Sequence, residues 1–364
     1  MKKIGILTFQ NADNYGALLQ AYALKEMLLS VGMWPEVLNY RCLKLEREYC
    51  FFSNPRLNLK WLLVKTVKLF FLPFFLYEKS LFNSFRKRYL TDTSSLYPQT
   101  ISKIASQYDV FISGSDQVFN PRITDFDANY FLAFNPDSAK NYSYAASFGL
   151  ALENLTEKER NFIKKNLSYF TRISVRETQG AEIVRDLLNR PAEIHLDPTL
   201  LLTHAQWHSL AVTPKYSNYV ILYLMHKDPQ LIDFARKLAQ AKGCELLYIC
   251  PTLDFKNRVR AKHITPSPQE WLGLFENASY VVTNSFHGLA FSVNFNKKFF
   301  LGKLPLTWPV NSRLDNLLHI TGLHDRLYGN FTDDFDKEID WEAVNQKLKE
   351  ERQKAFAYLR EIAK

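Results

Sequence analysis

A short apolar strand followed at once by a helix of small residues constrains this chain more than any other feature. Residues 280–294 read YVVTNSFHGLAFSVN. The strand-like run stops at Thr283, and either Asn284 or Ser285 can cap the helix that follows. Units of this kind are typical of parallel α/β sheets, in which ligands bind beyond the carboxyl ends of the strands.

The helix of this unit carries one histidine, His287, in its first turn. A helix N-terminus attracts anions through its free N–H groups and its dipole. An imidazole at the same place adds a group that can donate a proton near neutral pH. The unit therefore predicts an anion site with a proton donor, the alternative being that His287 only caps or packs.

Strand and helix signals alternate in two series, one before and one after the polar stretch 203–218. Alternation of this kind predicts an α/β fold with two doubly wound Rossmann-like domains that face a cleft, a GT-B-like layout. We expect an N-terminal α/β domain over residues 1–203, with an insertion at 41–90. A C-terminal α/β domain should follow over 204–340, and a charged helix over 341–364 can pack back on the N-terminal domain.

Polar clusters stand at the predicted carboxyl ends of the strands, where a shared cleft would bring them together. These clusters are Asn11–Gly16, Ser113–Gln117, Ser147–Gly149, Arg176-Glu177, Asp197 and Asn284–His287.

Composition narrows the setting. The 364 residues are 47% hydrophobic, which is enough for large cores and argues against disorder. The four cysteines have no CxxC spacing, which disfavours a zinc site or a disulfide framework and fits a reducing compartment. The start MKKIGILTFQ reads as a buried strand rather than a signal peptide. Without a run of about 18 uncharged apolar residues, no transmembrane helix is expected, and a cytoplasmic location is predicted.

The positive charge is concentrated in one region. Of the net charge of +9, residues 41–90 contribute +8, from eleven Lys or Arg and three Glu. A nucleic-acid partner is therefore not expected. Residues 61–77 are very apolar but contain Lys65 and Lys68, so residues 56–90 are predicted to make peripheral contact with the inner face of an anionic membrane. The alternative is a packed helical insertion whose lysines reach water.

Five segments of the chain, in this order, resemble the polysaccharide pyruvyl transferase family. They are Phe9–Leu24 (FQNADNYGALLQAYAL), Ser113–Phe119 (SGSDQVF), Ser174–Glu177 (SVRE), Asp197–Leu200 (DPTL) and Asn284–Gly288 (NSFHG). The resemblance spans about residues 4–320 and leaves out the basic insertion and the C-terminal helix. It implies a GT-B-like fold and a phosphoenolpyruvate donor, with the N-terminal domain on the acceptor side and the C-terminal domain on the donor side.

The resemblance also implies transfer of the pyruvyl unit to sugar hydroxyls of a surface polysaccharide or a lipid-linked oligosaccharide, which gives a ketal and phosphate. It places Arg176 and His287 at the donor. Some members carry a lysine about twenty residues after that histidine, where this chain has Thr307, so Lys303 or Arg313 is expected to supply the charge. Other members carry a second acidic residue where this chain has Ala17.

The implied chemistry suits these residue types. Arginine is the natural bidentate partner of a carboxylate or a phosphate, and a helix N-terminus holds phosphate without a metal. We therefore expect no metal and no cofactor, with phosphoenolpyruvate as co-substrate. The predicted donor-binding residues are Arg176, His287, Ser285, Gly288, Arg313 and Lys303.

Ketal formation needs a proton for the methylene carbon and a base for the two hydroxyls. His287 is the predicted acid or a phosphate ligand, and Asp116 is the predicted base or an acceptor ligand. The predicted acceptor-binding residues are Asp13, Asn14, Tyr15, Gly16, Ser115 and Gln117. The alternatives are a helix cap for Asp116, a salt bridge of Arg176 with Glu177 or Asp197, and a plain β–α turn at 13–15.

Two other functions fit the same features. A nucleotide-sugar glycosyltransferase of GT-B fold would share the architecture, but no acidic residue lies between Val281 and Leu301 to bind a sugar or ribose. A non-catalytic, membrane-associated subunit of polysaccharide assembly would keep the fold and the basic segment without turning over a substrate. Phosphate release from phosphoenolpyruvate with a glycan separates these functions.

Overall fold

Parallel strands joined by helices form the framework of the molecule. The computed structural model describes residues 1–48, 71–90, 93–250, 259–305, 311–329 and 335–364. The strands are β1 (Lys3–Leu7), β2 (Trp34–Val37), β3 (Val110–Ser113), β4 (Asn141–Ser143), β5 (Ser174–Val175), β6 (Glu193–Ile194), β7 (Tyr219–Tyr223), β8 (Glu245–Ile249), β9 (Lys262–Ile264), β10 (Tyr280–Thr283) and β11 (Phe299–Leu301).

Helices connect these strands and flank the sheets. They are α1 (Tyr15–Ser30), α2 (Leu43–Glu48), α3 (Leu72–Tyr89), α4 (Pro121–Thr124), α5 (Glu157–Leu167), α6 (Thr178–Leu188), α7 (His204–His208), α8 (Pro229–Ala241), α9 (Pro268–Asn277), α10 (Phe286–Asn294), α11 (Ser312–Thr321) and α12 (Trp341–Ala363). Short 3-10 turns lie at Ile101–Gln107, Ala128–Phe131, Ser138–Lys140, Leu152–Asn154, Pro198–Leu200 and His324–Arg326.

The first sheet has the parallel order β2-β1-β3-β4. Strand β1, one of its two inner strands, is buried on both faces, and Ile6 pairs with Val37 of β2 on one side and with Ile112 of β3 on the other. Apolar runs without alternation are typical of parallel strands covered on both faces. Isolated bridges from Tyr142 to Arg172 and from Ala146 to Val175 attach the β5-β6 pair to the edge of this sheet.

The second sheet has the parallel order β11-β10-β7-β8-β9. All five residues of β7 are buried, α8 packs against β7 and β8, and α10 packs against β10 and β11. The prediction of two parallel α/β units in a GT-B-like layout is therefore confirmed.

Helix α1 joins the two units. Tyr15 at its start stacks on Trp271 of α9, with ring centroids 5.5 Å apart, and donates a 2.7 Å hydrogen bond to the Pro266 carbonyl. One hydrophobic cluster contains side chains of both sheets, among them Ile6 and Ile221. The apolar core thus continues across the predicted boundary between the two α/β units.

The C-terminal helix α12 reaches the first unit. The Tyr358 hydroxyl donates to the Ser143 carbonyl at 2.8 Å, and Arg352 donates to the Leu200 carbonyl at 2.6 Å. These buried contacts lie between α12 and segments of the predicted N-terminal domain.

The basic insertion is described over α2 and α3 only. Residues 49–70, which include Trp61, Lys65 and the first part of the predicted membrane segment 56–90, lie outside the described residues. Helix α3 buries Phe82, Phe85 and Arg86 and leaves Phe74, Leu76 and Tyr77 more than half exposed. Across the part of the chain that the structure describes, no helix is both long and apolar enough to cross a bilayer.

Candidate active site

A pocket of about 190 Å³ lies where the carboxyl ends of strands from both sheets meet. The loops after β1 and β3 form one side, and the segments after β7 and β10 with the start of α11 form the other. Its lining residues are Phe9, Ala12, Asn14, Ala17, Leu45, Asp116, Gln117, Ile123, Met225, Ser285, Phe286, His287 and Arg313.

The turn between β10 and α10 is fixed by its own polar side chains. The Thr283 hydroxyl donates to the Tyr223 carbonyl at 2.6 Å. Asn284 accepts from the Met225 amide and donates to the His226 carbonyl, both at 2.8 Å. Of the two predicted caps, Ser285 is the one that caps α10, since its hydroxyl accepts from the Gly288 amide at 3.3 Å.

Two glycines allow close approaches at this turn. A Cβ at Gly288 would overlap the Thr283 hydroxyl, so only glycine lets the helix start so near the strand. A Cβ at Gly16 would overlap the His287 imidazole, so the first turn of α1 lies directly against that ring. The N-termini of α1 and α10 therefore meet at His287.

Arg176 and Asp197 form a buried ion pair beneath the pocket. The Arg176 guanidinium lies 2.8 Å from Asp197 Oδ2 and donates to the Ser115 hydroxyl at 2.6 Å. The other carboxylate oxygen of Asp197 accepts from the amide of Thr199 at 2.9 Å and from its hydroxyl at 2.6 Å. The salt bridge that the sequence offered as the alternative for Arg176 is thus present, with Asp197 as the partner.

Burial alone would raise the pKa of Asp197, but Arg176, His287 and Thr199 together hold it below its usual range. The carboxylate is therefore ionised at neutral pH. His287 comes from the second unit, yet its Nε2 lies 3.8 Å from the same carboxylate and has no hydrogen-bond partner. The structure thus brings the two predicted donor ligands, Arg176 and His287, to one carboxylate.

Arg313 is the second buried arginine of this region. Its Nη1 lies 3.9 Å from Asp116 Oδ1. The Phe286 ring lies near both arginines, with guanidinium carbons 4.9 Å (Arg176) and 5.8 Å (Arg313) from its centroid. Burial, followed by the charge of Arg176, lowers the pKa of Arg313, against the raising effect of the nearby carboxylates.

Several N–H groups of these buried residues have no hydrogen-bond partner. They are Nε and Nη1 of Arg176, Nε of Arg313 and Nε2 of His287. An unpaired buried donor costs about 1–3 kcal/mol, so such groups call for an explanation. Arg313 and His287 line the pocket, and Arg176 lies against Phe286, which also lines it.

The local charge is mixed. Asp116 borders the pocket, Asp197 lies beneath it, and the buried Glu177 accepts from the Ser147 hydroxyl at 2.9 Å and the Phe148 amide at 3.1 Å. The remaining carboxylate oxygen of Glu177 has no partner. Recognition of an anion here would therefore depend on directed N–H donors and not on a net positive field.

Asp116 is half-buried and lines the pocket. Its backbone has a φ of 71°, in the left-handed region that Asp tolerates better than most residues. Its carboxylate accepts from the next amide, that of Gln117, at 2.9 Å. Asp116 does not cap a helix, so the helix-cap alternative given from the sequence is wrong.

The sequence profile of the polysaccharide pyruvyl transferase family matches residues 14–301. The chain belongs to this family. The match covers the second sheet and all of the first except β1, and every residue that borders the pocket except Phe9, Ala12 and Arg313. No relative is found among curated proteins.

Solved structures of several sugar-nucleotide enzymes have a similar backbone fold. UDP-GlcNAc 2-epimerase from Methanocaldococcus jannaschii is 12% identical, with a TM-score of 0.49, over 96% of this chain and 92% of that one. The Neisseria meningitidis UDP-GlcNAc 2-epimerase is 12% identical, with a TM-score of 0.48, over 98% and 94%. An alpha-glucosyltransferase solved with UDP is 9% identical, with a TM-score of 0.49, over 99% and 95%. These likenesses concern the fold alone.

In this pyruvyl transferase family member, the predicted acceptor loop has structural partners. The Asp13 carboxylate pairs with Arg86 of α3. Asn14 caps α1 by accepting from the Ala17 amide at 3.2 Å, and it also lines the pocket. The Tyr15 hydroxyl donates a hydrogen bond to the Pro266 carbonyl. The β–α turn is thus present, and acceptor binding by these residues stays a prediction.

The other predicted site residues divide by position. Ser115 is fully buried against Arg176, whereas Gln117 borders the pocket. Lys303 lies apart, 41% exposed and 2.8 Å from Asp315, and does not line the pocket. Thr307 lies outside the described residues.

Sequence reasoning missed Phe286 and offered Asp197 only as a member of a polar cluster and as one of two salt-bridge partners for Arg176. Nothing in the spacing signals that Phe286 lies near two arginines, because those come from distant segments. The Asp-Pro-Thr turn after β6 was the available signal for Asp197. Among the residues that the structure describes, no group of three or more His, Cys, Asp or Glu side chains is arranged to hold a metal ion.

Proposed function

We propose that this chain transfers the pyruvyl unit of phosphoenolpyruvate to sugar hydroxyls of a surface polysaccharide or its lipid-linked precursor. The products are a pyruvate ketal and phosphate. The observation that carries the proposal is a group of buried side-chain nitrogens without hydrogen-bond partners. They belong to Arg313 and His287, which line the pocket, and to Arg176, whose guanidinium carbon lies 4.9 Å from the ring centroid of the lining residue Phe286. Membership of the pyruvyl transferase family supports it.

Phosphoenolpyruvate matches these groups in charge and shape. It carries a carboxylate and a phosphate on adjacent atoms of a small, rigid molecule. An arginine can hold either group through two N–H donors, and the Ser285-capped N-terminus of α10 is suited to phosphate. Gly288 lies in the first turn of the same helix. Binding would then need no metal, with Arg176, Arg313, His287 and the start of α10 as the ligands.

The reaction conserves protons within the reactants. A proton reaches the methylene carbon of phosphoenolpyruvate, and the first sugar hydroxyl adds to C2 as its own proton leaves. The C2–O bond to phosphate then breaks, and the second hydroxyl closes the ketal as its proton leaves. Of the two hydroxyl protons, one balances the methyl group formed and the other balances the released phosphate.

His287 and Asp116 suit the proton steps. His287 lies against the first turn of α1, between the two units, and its Nε2 is free of a protein hydrogen-bond partner. We assign it the proton donor for carbon. Asp116 lies on the opposite side of the pocket, on the loop after β3, and we assign it the base for the acceptor hydroxyls. Ionised Asp197 holds Arg176 in place and faces His287 Nε2.

The exposed side of α3 supports contact with a membrane that carries a lipid-linked acceptor. Phe74, Leu76 and Tyr77 are 52%, 54% and 60% exposed near its start, and Lys87 and Arg88 are exposed near its end. Apolar side chains beside cations suit an anionic lipid surface, at about 1 kcal/mol per cation, fading with salt. Co-sedimentation with anionic and neutral vesicles at two salt concentrations tests this contact. Equal, negligible binding to both would make α3 a packed insertion only.

The reaction itself is tested by incubating the chain with phosphoenolpyruvate and a panel of glycans in the presence of a chelator. We expect phosphate release that depends on the glycan and a product heavier than the glycan by one pyruvate less one water. Glycan-independent phosphate release, or no phosphate release with any member of the panel together with no binding of phosphoenolpyruvate, would refute the proposal. UDP in place of phosphoenolpyruvate should neither bind nor compete.

A further inference from the structure

The basic insertion contains a buried arginine, Arg86, in the part that the structure describes. Arg86 lies near the end of α3 and is 6% exposed. Most of the insertion's charges were expected at the surface, but this one points inward. A buried arginine needs a dense set of acceptors, because leaving its donors unpaired is costly.

Arg86 finds that set in the loop between β1 and α1. Its guanidinium donates to the carbonyls of Gln10 at 2.9 Å, Asn11 at 3.3 Å and Ala12 at 3.0 Å, and it pairs with the Asp13 carboxylate. Three successive carbonyls and a carboxylate thus face one cation. Without the cation, these negative groups would repel one another and the loop would be expected to open.

The loop that Arg86 holds leads directly into the pocket. Ala12 and Asn14 line the pocket, and Gly16 lies against the His287 ring. A second contact from α3 supports the same place, since Phe82 packs on Tyr15 with ring centroids 5.0 Å apart. Helix α3 therefore holds both the loop and the first turn of α1, while its other side faces solvent.

We infer that Arg86 is a positioning residue that makes the basic insertion part of the acceptor side of the site. It acts through the β1–α1 loop and touches neither substrate. The acceptor part of this inference rests on the proposed function, whereas the clamp on the loop does not. Loss of the clamp should affect the two substrates differently. It should weaken use of the acceptor, whereas donor binding depends on the other side of the pocket and should stay nearly unchanged.

The test compares Arg86→Gln and Arg86→Lys with Arg326→Gln. Arg326 is a matched control, because it is 1% exposed, donates to the carbonyls of Lys337 and Glu338, and does not line the pocket. Hydrogen exchange of peptides over residues 8–18 measures the clamp. We expect exchange at least about tenfold faster in Arg86→Gln, an intermediate rate in Arg86→Lys, which keeps the charge without the planar fork, and no change in Arg326→Gln.

Steady-state kinetics measure the consequence, with the best acceptor from a panel of p-nitrophenyl hexopyranosides. In Arg86→Gln the KM for the hexoside should rise about tenfold, while the Kd for phosphoenolpyruvate stays within about twofold. Arg86→Lys should recover part of the loss.

Unchanged exchange over 8–18 in both Arg86 variants, or equal losses for the hexoside and for phosphoenolpyruvate, would overturn the inference. If Arg86→Gln does not fold, Arg86→Lys decides by the same two measurements. A wild-type chain that binds no phosphoenolpyruvate would refute the proposed function instead, and the exchange comparison would still decide whether Arg86 holds the loop.

Discussion

The two sides of the pocket differ in how completely their polar groups are used. On the donor side, Arg176, Arg313 and His287 are buried and keep N–H groups without partners. On the acceptor side, Asp13 is paired with Arg86, and Asn14 caps a helix. The donor side thus keeps unpartnered nitrogens, whereas Asp13 and Asn14 on the acceptor side already have protein partners.

This difference indicates where substrate binding can contribute most. An anion that reaches the donor side gains hydrogen bonds that the protein does not supply by itself, so binding is favoured by groups already held in place. A sugar at the acceptor loop meets groups that already have partners. We therefore expect the acceptor to be recognised by the shape and position of the loop and by Asp116 and Gln117, which border the pocket.

The largest effect should come from His287. Replacing it by Gln keeps a hydrogen-bonding group but removes the proton donor, so kcat should fall by about 10²–10⁴. Single-turnover phosphate release measures this directly. A kcat within about threefold of wild type would show that His287 only packs against α1. The donor side would then contain no residue with a role in proton transfer.

The buried ion pair should dominate stability. Asp197→Ala leaves Arg176 without its carboxylate and should cost about 3–5 kcal/mol of unfolding free energy in urea. Asp315→Ala, which breaks the exposed pair with Lys303, is the control and should cost no more than about 1 kcal/mol.

The pH dependence of this pair follows from the lowered pKa of Asp197. Its stabilising contribution is complete above the unfolded carboxyl pKa of about 3.9 and is lost as the pH falls further toward the lower folded value. The stability difference between wild type and Asp197→Ala should therefore shrink below about pH 4. A difference that grows in acid would contradict the assignment of an ionised carboxylate.

Variants of Arg313 and Lys303 show which of these two predicted donor-binding residues contacts phosphoenolpyruvate. Arg313→Gln should weaken phosphoenolpyruvate binding by about 1.5–3 kcal/mol if the guanidinium makes a charge-assisted contact. Lys303→Gln should leave the Kd unchanged, because Lys303 lies at the surface with Asp315. Equal effects of the two variants in calorimetry would mean that long-range charge, not a directed contact, attracts the donor.

The smallest effect should come from the acceptor loop. Asn14→Ala removes the cap of α1 and should cost about 0.5–2 kcal/mol of stability, while Asn14→Asp keeps the cap. Phosphoenolpyruvate affinity should stay within about twofold in both. A large loss of donor affinity in Asn14→Ala would show that the two sides of the pocket are not independent.

Local sequence was sufficient for the donor half of the fold. The β10–α10 unit was predictable because its apolar run, its cap and its glycine are adjacent in the chain. The start of helix α1 is harder to predict, because Tyr15 and Gly16 carry no apolar periodicity and are held by contacts with the second unit. Strand β9 gives little sequence signal, because Lys262–Ile264 is a short and mostly exposed edge strand.

The acceptor half could not be predicted in the same way. Arg86 and Asp13 are 73 residues apart, and no periodicity connects a loop after the first strand with a helix in an insertion. Counting charge in residues 41–90 assigned Arg86 to a surface that it does not reach. The position of Phe286 beside two arginines likewise depends on how distant segments pack.

The central claim is that phosphoenolpyruvate binds to the N–H donors of Arg176, Arg313 and His287 without a metal. Calorimetric titration of the wild-type chain in a chelator, repeated with Arg176→Ala, tests it most directly. We expect binding in the chelator and a loss of about 1.5–3 kcal/mol in the variant, with inorganic phosphate as a weaker competitor. Binding that requires added magnesium, or an affinity that Arg176→Ala leaves unchanged, would contradict it.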